Sequence, residues 1–135
     1  LAGVTVTGWT NEPWLPEASR EKAAIVGPLM LDMLRRAHEG GVNVAFGTDT
    51  GVSRHGQNAK EFALMVEAGF TPEDAIRSAT VIASKHLEMN SDIGTLEAGK
   101  YADLIAMTAD PLKKITELES VDFVMKGGVV HKGLN

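Results

Sequence analysis

The chain contains no cysteine. That excludes a disulfide framework and any thiolate metal site, and it fits a reducing compartment, so a cytoplasmic location is the expectation. No run of Lys and Arg exceeds two residues, and the formal net charge is -5. A nucleic-acid footprint or charge-driven recruitment to a membrane surface is therefore not expected. No apolar stretch approaches the roughly 18 residues of a spanning helix. Metal-ligand spacings such as H-x-H or H-x-x-x-H are absent, as are a nucleophile elbow and a phosphate-binding glycine loop. The chain also lacks an initiator Met or a leader pattern at Leu1-Ala2-Gly3, so further residues are expected to precede it.

What is present suffices for one modest core: 135 residues, 44% of them hydrophobic. Gly3, Gly8, Pro13 and Pro16 break residues 1–20 into an irregular segment, with Trp9 and Trp14 expected to pack it down. From Glu17 to Glu39 the spacing of Val26, Leu29, Met30, Met33, Leu34 and Ala37 predicts a helix with one apolar face. Pro28 predicts a kink or a fresh helix start near Gly27, and Gly40-Gly41 predicts the helix end. Val42–Phe46 reads as a short strand buried on both faces. A loop over 47–57 follows, then a helix over 57–68 with Ala59, Phe62, Ala63 and Val66 on one face and Gly69 as its stop. Thr71-Pro72-Glu73-Asp74 predicts a capped helix start. That helix carries Ala75, Ile76, Ala79, Ala83 and Leu87, with a break around Thr80 and an end near Met89. After Ser91 the pattern changes. A turn is expected at Glu97–Lys100, a strand at Ala102–Met107, a helical turn at Asp110-Pro111 and a hairpin turning at Gly127-Gly128.

A helix–strand–helix order suggests part of an α/β architecture. In parallel α/β folds the functional groups sit at the C-terminal ends of strands. Asp49 lies there, just beyond Phe46. Spacing alone leaves two readings open: a functional carboxylate, or one that caps the next helix or pairs locally. His55 follows in the same loop and either reaches the same cleft or is simply exposed. His38 is expected to be solvated, His86 to pack, and His131 to serve the hairpin. A single carboxylate does not hold a zinc ion, which takes about three or four ligands.

Three stretches taken together resemble a known family. They are GVNVAFGTDTGVSRHGQNAKEFALMVEAGFTPEDAIRSAT, IGTLEAGKYADLIAM and VDFVMKGGVVHKG. Their content and order are similar to the C-terminal third of metal-dependent amidohydrolases, in the branch of imidazolonepropionase-like enzymes and Xaa-Pro dipeptidases (prolidases). The likeness runs from about Glu17 to Gly133.

The resemblance implies a (β/α)8 TIM barrel plus a small β-sandwich. Residues 1–92 would be the C-terminal part of the barrel, with Val42–Phe46 as its eighth strand, and 93–135 a contribution to the sandwich. A whole barrel takes about 250 residues, so the chain would be a fragment. It further implies a hydrolase of C–N bonds with one or two divalent ions, zinc foremost. Asp49 would contact the metal, take the proton of its hydroxide and later protonate the leaving amine. His55, in the HG-x-N stretch, would contact a small-molecule or dipeptide substrate. The remaining ligands would lie upstream of Leu1, so this chain alone is expected to hold no metal stably. The alternative expectation is an inactive fragment that only self-associates, its unpaired strand and apolar faces favouring a homo-oligomer.

Overall fold

The computed structural model describes residues 7–50 and 55–133. Gly3 and the centre of the 47–57 loop lie outside these residues. Helix α1 spans Glu17–Glu39. The Pro16 carbonyl accepts from the amides of Ser19 and Arg20 at its start. The helix is continuous through Pro28, so no fresh start occurs near Gly27. Pro28 leaves the Ala24 carbonyl without its helical donor; Ala24 is exposed, where water can serve that oxygen. At the other end Gly41 adopts φ 73. Its amide donates to His38 O at 2.9 Å and that of Val42 to Ala37 O at 3.0 Å, the bond pair of a Schellman motif.

Helix α2 spans Lys60–Glu67 and α3 spans Pro72–Arg77. The same motif closes α2: Gly69 takes φ 100, Gly69 N donates to Val66 O, and Phe70 N donates to Met65 O. Thr71 caps α3 as expected, its Oγ1 accepting from Asp74 N at 3.1 Å, with Pro72 in the first turn. The expected break around Thr80 is a π-helical turn at Ser78–Ile82, followed by α4 at Ala83–His86. Hydroxyls bond back along the chain here, Ser78 Oγ to Ala75 O at 2.6 Å and Thr80 Oγ1 to Ile76 O at 2.9 Å, which loosens the regular ladder.

Leu34, Met65, Ala68, Phe70 and Ala75 form the core, with Leu31, Val44, Phe46, Phe62 and Val66 packed against it. Several expectations change. Leu29 and Met33 of α1 are exposed rather than buried, and with Ile25 they form an apolar row on the outer side of the helix. The apolar arc of α1 is wider than the partner that α2 and α3 offer it. On α2 the deepest apolar side chain is Met65, outside the predicted face. His38, expected in solvent, stacks on Phe70 with ring centroids 3.9 Å apart, whereas His86, expected to pack, is exposed where α4 ends. Trp9 is half-buried and Trp14 exposed.

The strand expected at Val42–Phe46 is not one. Among the described residues no strand precedes Leu104, and Val42 is 59% exposed. A parallel strand needs a neighbour on its ladder, and none stands beside this segment among the described residues. What it finds instead is the π-turn: Phe46 N donates to Ser78 O at 3.1 Å.

The C-terminal part is a three-stranded antiparallel sheet of β1 (Leu104–Ala106), β2 (Phe123–Lys126) and β3 (Val129–Lys132), in that order. Gly127 and Gly128 turn the hairpin with φ 56 and 78, the two positive values of a type I′ turn. Asp103 Oδ1 accepts from Gly127 N at 2.6 Å, which fixes this turn to the start of β1. A 3-10 turn at Ile115–Glu119 buries Ile115 and Leu118 and packs on α2. The expected turn before β1 is held by Lys100, whose Nζ donates to Asn90 O at 2.8 Å and Thr95 Oγ1 at 2.6 Å. No helix among the described residues is long and apolar enough to cross a membrane.

Gly94, at φ 95, lies against Ser84 of α4; an added Cβ would stand 2.3 Å from Ser84 Oγ. Gly94→Ala should therefore cost about 2–4 kcal/mol, from overpacking and positive φ together. Gly99→Ala, at the same φ but with open space around it, should cost about 1 kcal/mol. Urea unfolding of the two variants separates these terms.

Thr108 donates to Asp122 Oδ2 through its amide at 2.7 Å and its hydroxyl at 2.8 Å. The Thr108 hydroxyl, then its N–H, then Lys132 hold the Asp122 carboxyl below the usual carboxylate range. A folded-state pKa below the unfolded one stabilises above the unfolded value, and that contribution is lost as pH falls through the folded value. Wild type should thus exceed Asp122→Asn in stability at neutral pH, with the gap closing below about pH 4. A gap that stays constant down to pH 2 would contradict this.

Candidate functional site

Two contacts carry the 42–50 segment across the helices. One is the Phe46–Ser78 bond. The other is the stack of Phe46 on Phe62 of α2, with centroids 4.4 Å apart. Together they fix where the chain leaves the core. Thr48, two residues on, is buried at 6% exposure. Asp49 then turns outward into solvent.

Asp49 adopts φ 51. Only Asp49 and Glu88 among the described non-glycine residues have positive φ. The left-handed region is costly for side chains, least so for Asp and Asn. Glu88 sits there to close a helix: its amide bonds Lys85 O and that of Met89 bonds Ser84 O. Asp49 closes no helix. The position preceding α2 is Ala59, with no side-chain cap, so Asp49 does not cap that helix. Nor does its side chain pair locally among the described residues. The backbone turn presents an uncommitted carboxylate to solvent.

The residues on either side of Asp49 are tied down. Asn58 Nδ2 donates to Thr48 Oγ1 at 2.7 Å and to Thr50 Oγ1 at 2.9 Å. The two hydroxyls lie 2.7 Å from one another. This triangle was not legible in the sequence. Its one signal is a pair of hydroxyls flanking a carboxylate with an amide in the same loop. Glu61, the second residue of α2, is wholly buried and engaged in interactions of its own; it too escapes a pattern reading.

His55 is exposed on the turn at 55–56, in the same loop as Asp49. His38, His86 and His131 lie on α1, α4 and β3, and do not gather around Asp49. Among the described residues no group of three or more His, Asp or Glu stands close enough to hold a metal ion. Asp49 alone offers one hard oxygen donor of the kind a divalent cation takes.

Residues 21–131 match the sequence profile of the amidohydrolase family. This chain belongs to the amidohydrolase family. Among curated relatives, it is 31% identical over 98 residues to an imidazolonepropionase of Shouchella clausii, covering 68% of this chain and 22% of that protein. It is 38% identical over 81 residues to a 5-methylthioadenosine/S-adenosylhomocysteine deaminase of Symbiobacterium thermophilum, covering 52% of this chain and 19% of that one. Among solved structures, a Xaa-Pro dipeptidase with methionine bound in its active site superposes with a TM-score of 0.87 at 46% identity. That match covers 98% of this chain and 33% of the dipeptidase. The chain thus spans about a fifth of the length of these curated relatives.

Positive φ makes Asp49 a position where glycine is conformationally cheaper. Asp49→Gly should raise stability by about 0.5–1 kcal/mol, read from denaturant midpoints. A loss of stability would mean that the carboxylate holds the loop rather than being held by it.

Proposed function

We propose that the whole protein carrying this chain is a metal-dependent hydrolase of C–N bonds acting as an Xaa-Pro dipeptidase, with Asp49 as its metal-contacting proton shuttle. The observation that carries this reading is the 46% identity to a Xaa-Pro dipeptidase over 98% of the chain; beside it stands the exposed Asp49 carboxylate, which pairs with no side chain among the described residues. In this reading residues 1–92 are the closing part of a (β/α)8 barrel and 93–135 a part of a small β-sandwich. Val42–Phe46 takes up its ladder when the preceding strand stands beside it. The surface of the chain supports that view. Among the described residues it leaves the large apolar side chains of Ile25, Leu29, Met33 and Val42 exposed.

Among the described residues the donor set does not make a metal site by itself. A divalent cation, zinc in this reading, supplies Lewis acidity when bound. The work of this chain is at the carboxylate. Asp49 accepts a proton from the attacking water and returns it to the amine nitrogen as the C–N bond breaks, so one group serves as base and then as acid. His55, in the same loop, contacts the substrate. A second reading, that the chain alone is an inactive piece that self-associates, is favoured by the exposed row of Ile25, Leu29 and Met33.

Asp49→Asn in the whole protein should lower kcat on an Xaa-Pro dipeptide by about 100-fold or more, within the range that general acid–base groups contribute. Thermal unfolding should stay close to wild type. Near-normal turnover in that variant would remove Asp49 from the chemistry.

A further inference from the structure

We infer that Asn58 is a positioning residue for Asp49, an amide that holds the carboxylate-bearing turn in its left-handed conformation by bridging the hydroxyls on either side of it. The inference rests on the catalytic reading of Asp49.

The hydrogens can be counted. Three contacts join Asn58, Thr48 and Thr50, at 2.7, 2.9 and 2.7 Å. The Asn58 amide supplies two hydrogens, one to each hydroxyl oxygen. One hydroxyl supplies the third, to the other hydroxyl. Were the amide reversed, both hydroxyls would have to donate to its oxygen, and the 2.7 Å hydroxyl contact would have no hydrogen in it. Only the amide-donor arrangement satisfies all three sides. It also leaves one hydroxyl hydrogen directed outward from the triangle.

The consequence is geometric. Thr48 and Thr50 are separated in sequence by Asp49 alone, so a bridge between their side chains closes a short ring through its backbone. Drawing those two hydroxyls together favours a tight turn at the residue between them, and Asp49 adopts φ 51 there. Asn58 is placed independently, two residues ahead of α2, whose start is set by the bonds of Lys60 N to Gln57 O and Glu61 N to Asn58 O. The fixed helix thus dictates the direction of the carboxylate. No other described side chain holds Asp49 itself.

The test uses the whole protein in four forms: wild type, Asn58→Ala, Asp49→Asn and the double variant. Turnover of methionyl-proline is measured, together with crystal structures of wild type and Asn58→Ala. Asn58→Ala should lower kcat by about 10- to 100-fold with KM within about twofold, the scale of a misplaced catalytic group. Residue 49 should leave positive φ in its crystal structure. On the Asp49→Asn background the same substitution should change kcat by less than about twofold, because a positioning residue has nothing left to position. Wild-type kcat in Asn58→Ala, or an unchanged φ at Asp49, overturns the inference. If Asn58→Ala does not fold, Thr50→Val removes the same bridge with little change of shape and is held to the same outcomes. Unchanged turnover in Asp49→Asn overturns instead the role given to Asp49, and the clamp is then judged on the backbone angle alone.

Discussion

The amide of Phe46 donates to the carbonyl of Ser78, and the placement of the carboxylate turn follows from that bond. Ser78 is wholly buried and begins the π-turn. Its hydroxyl bonds Ala75 O and touches Met65 Sδ, so the same residue meets α2, α3 and the 42–50 segment. A regular helix through 78–82 would present that carbonyl differently. The irregular turn and the 42–50 segment therefore belong together. Phe62 stacks on Phe46, and Thr48 is buried as the chain passes. Asp49 emerges only after these contacts have fixed its backbone.

The parts legible in the sequence are those decided by neighbours along the chain. Gly40-Gly41, Gly69, Thr71-Pro72 and Gly127-Gly128 each settle a helix end, a helix start or a hairpin by backbone conformation alone. The break at Thr80 is similar in kind: the hydroxyls of Ser78 and Thr80 bond back to Ala75 and Ile76 carbonyls and compete with the ladder. Asp49 was also visible, from its place after an apolar run. Its role was not, because a functional aspartate after an apolar run and a capping one look alike in sequence.

What was illegible depends on partners distant in sequence. Val42–Phe46 has the composition of a buried strand, yet composition cannot provide the neighbour a ladder requires. The apolar arc of α1 is wide enough for two partners, and periodicity does not say which side α2 will take; hence Leu34 is buried and Leu29 is not. His38 reads as a surface residue beside Glu39, but Phe70, turned inward by the Schellman bonds at Gly69, brings a ring against it. Asn58 carries no periodic signal at all, since its bonds run to Thr48 and Thr50 across a loop.

The register shift between Val124 and Met125, where β2 meets β3, bears on what the small sheet can join. An irregularity of this kind bends a strand and steepens its twist. β3 is exposed along all four residues, and its outer side is a row of backbone donors and acceptors facing away from β2. Any strand laid along that border must match the steeper coil rather than a flat pleat. The irregularity thus acts as a filter on shape: it discourages stacking of identical flat edges, while a strand already curved to the same pitch can still dock there.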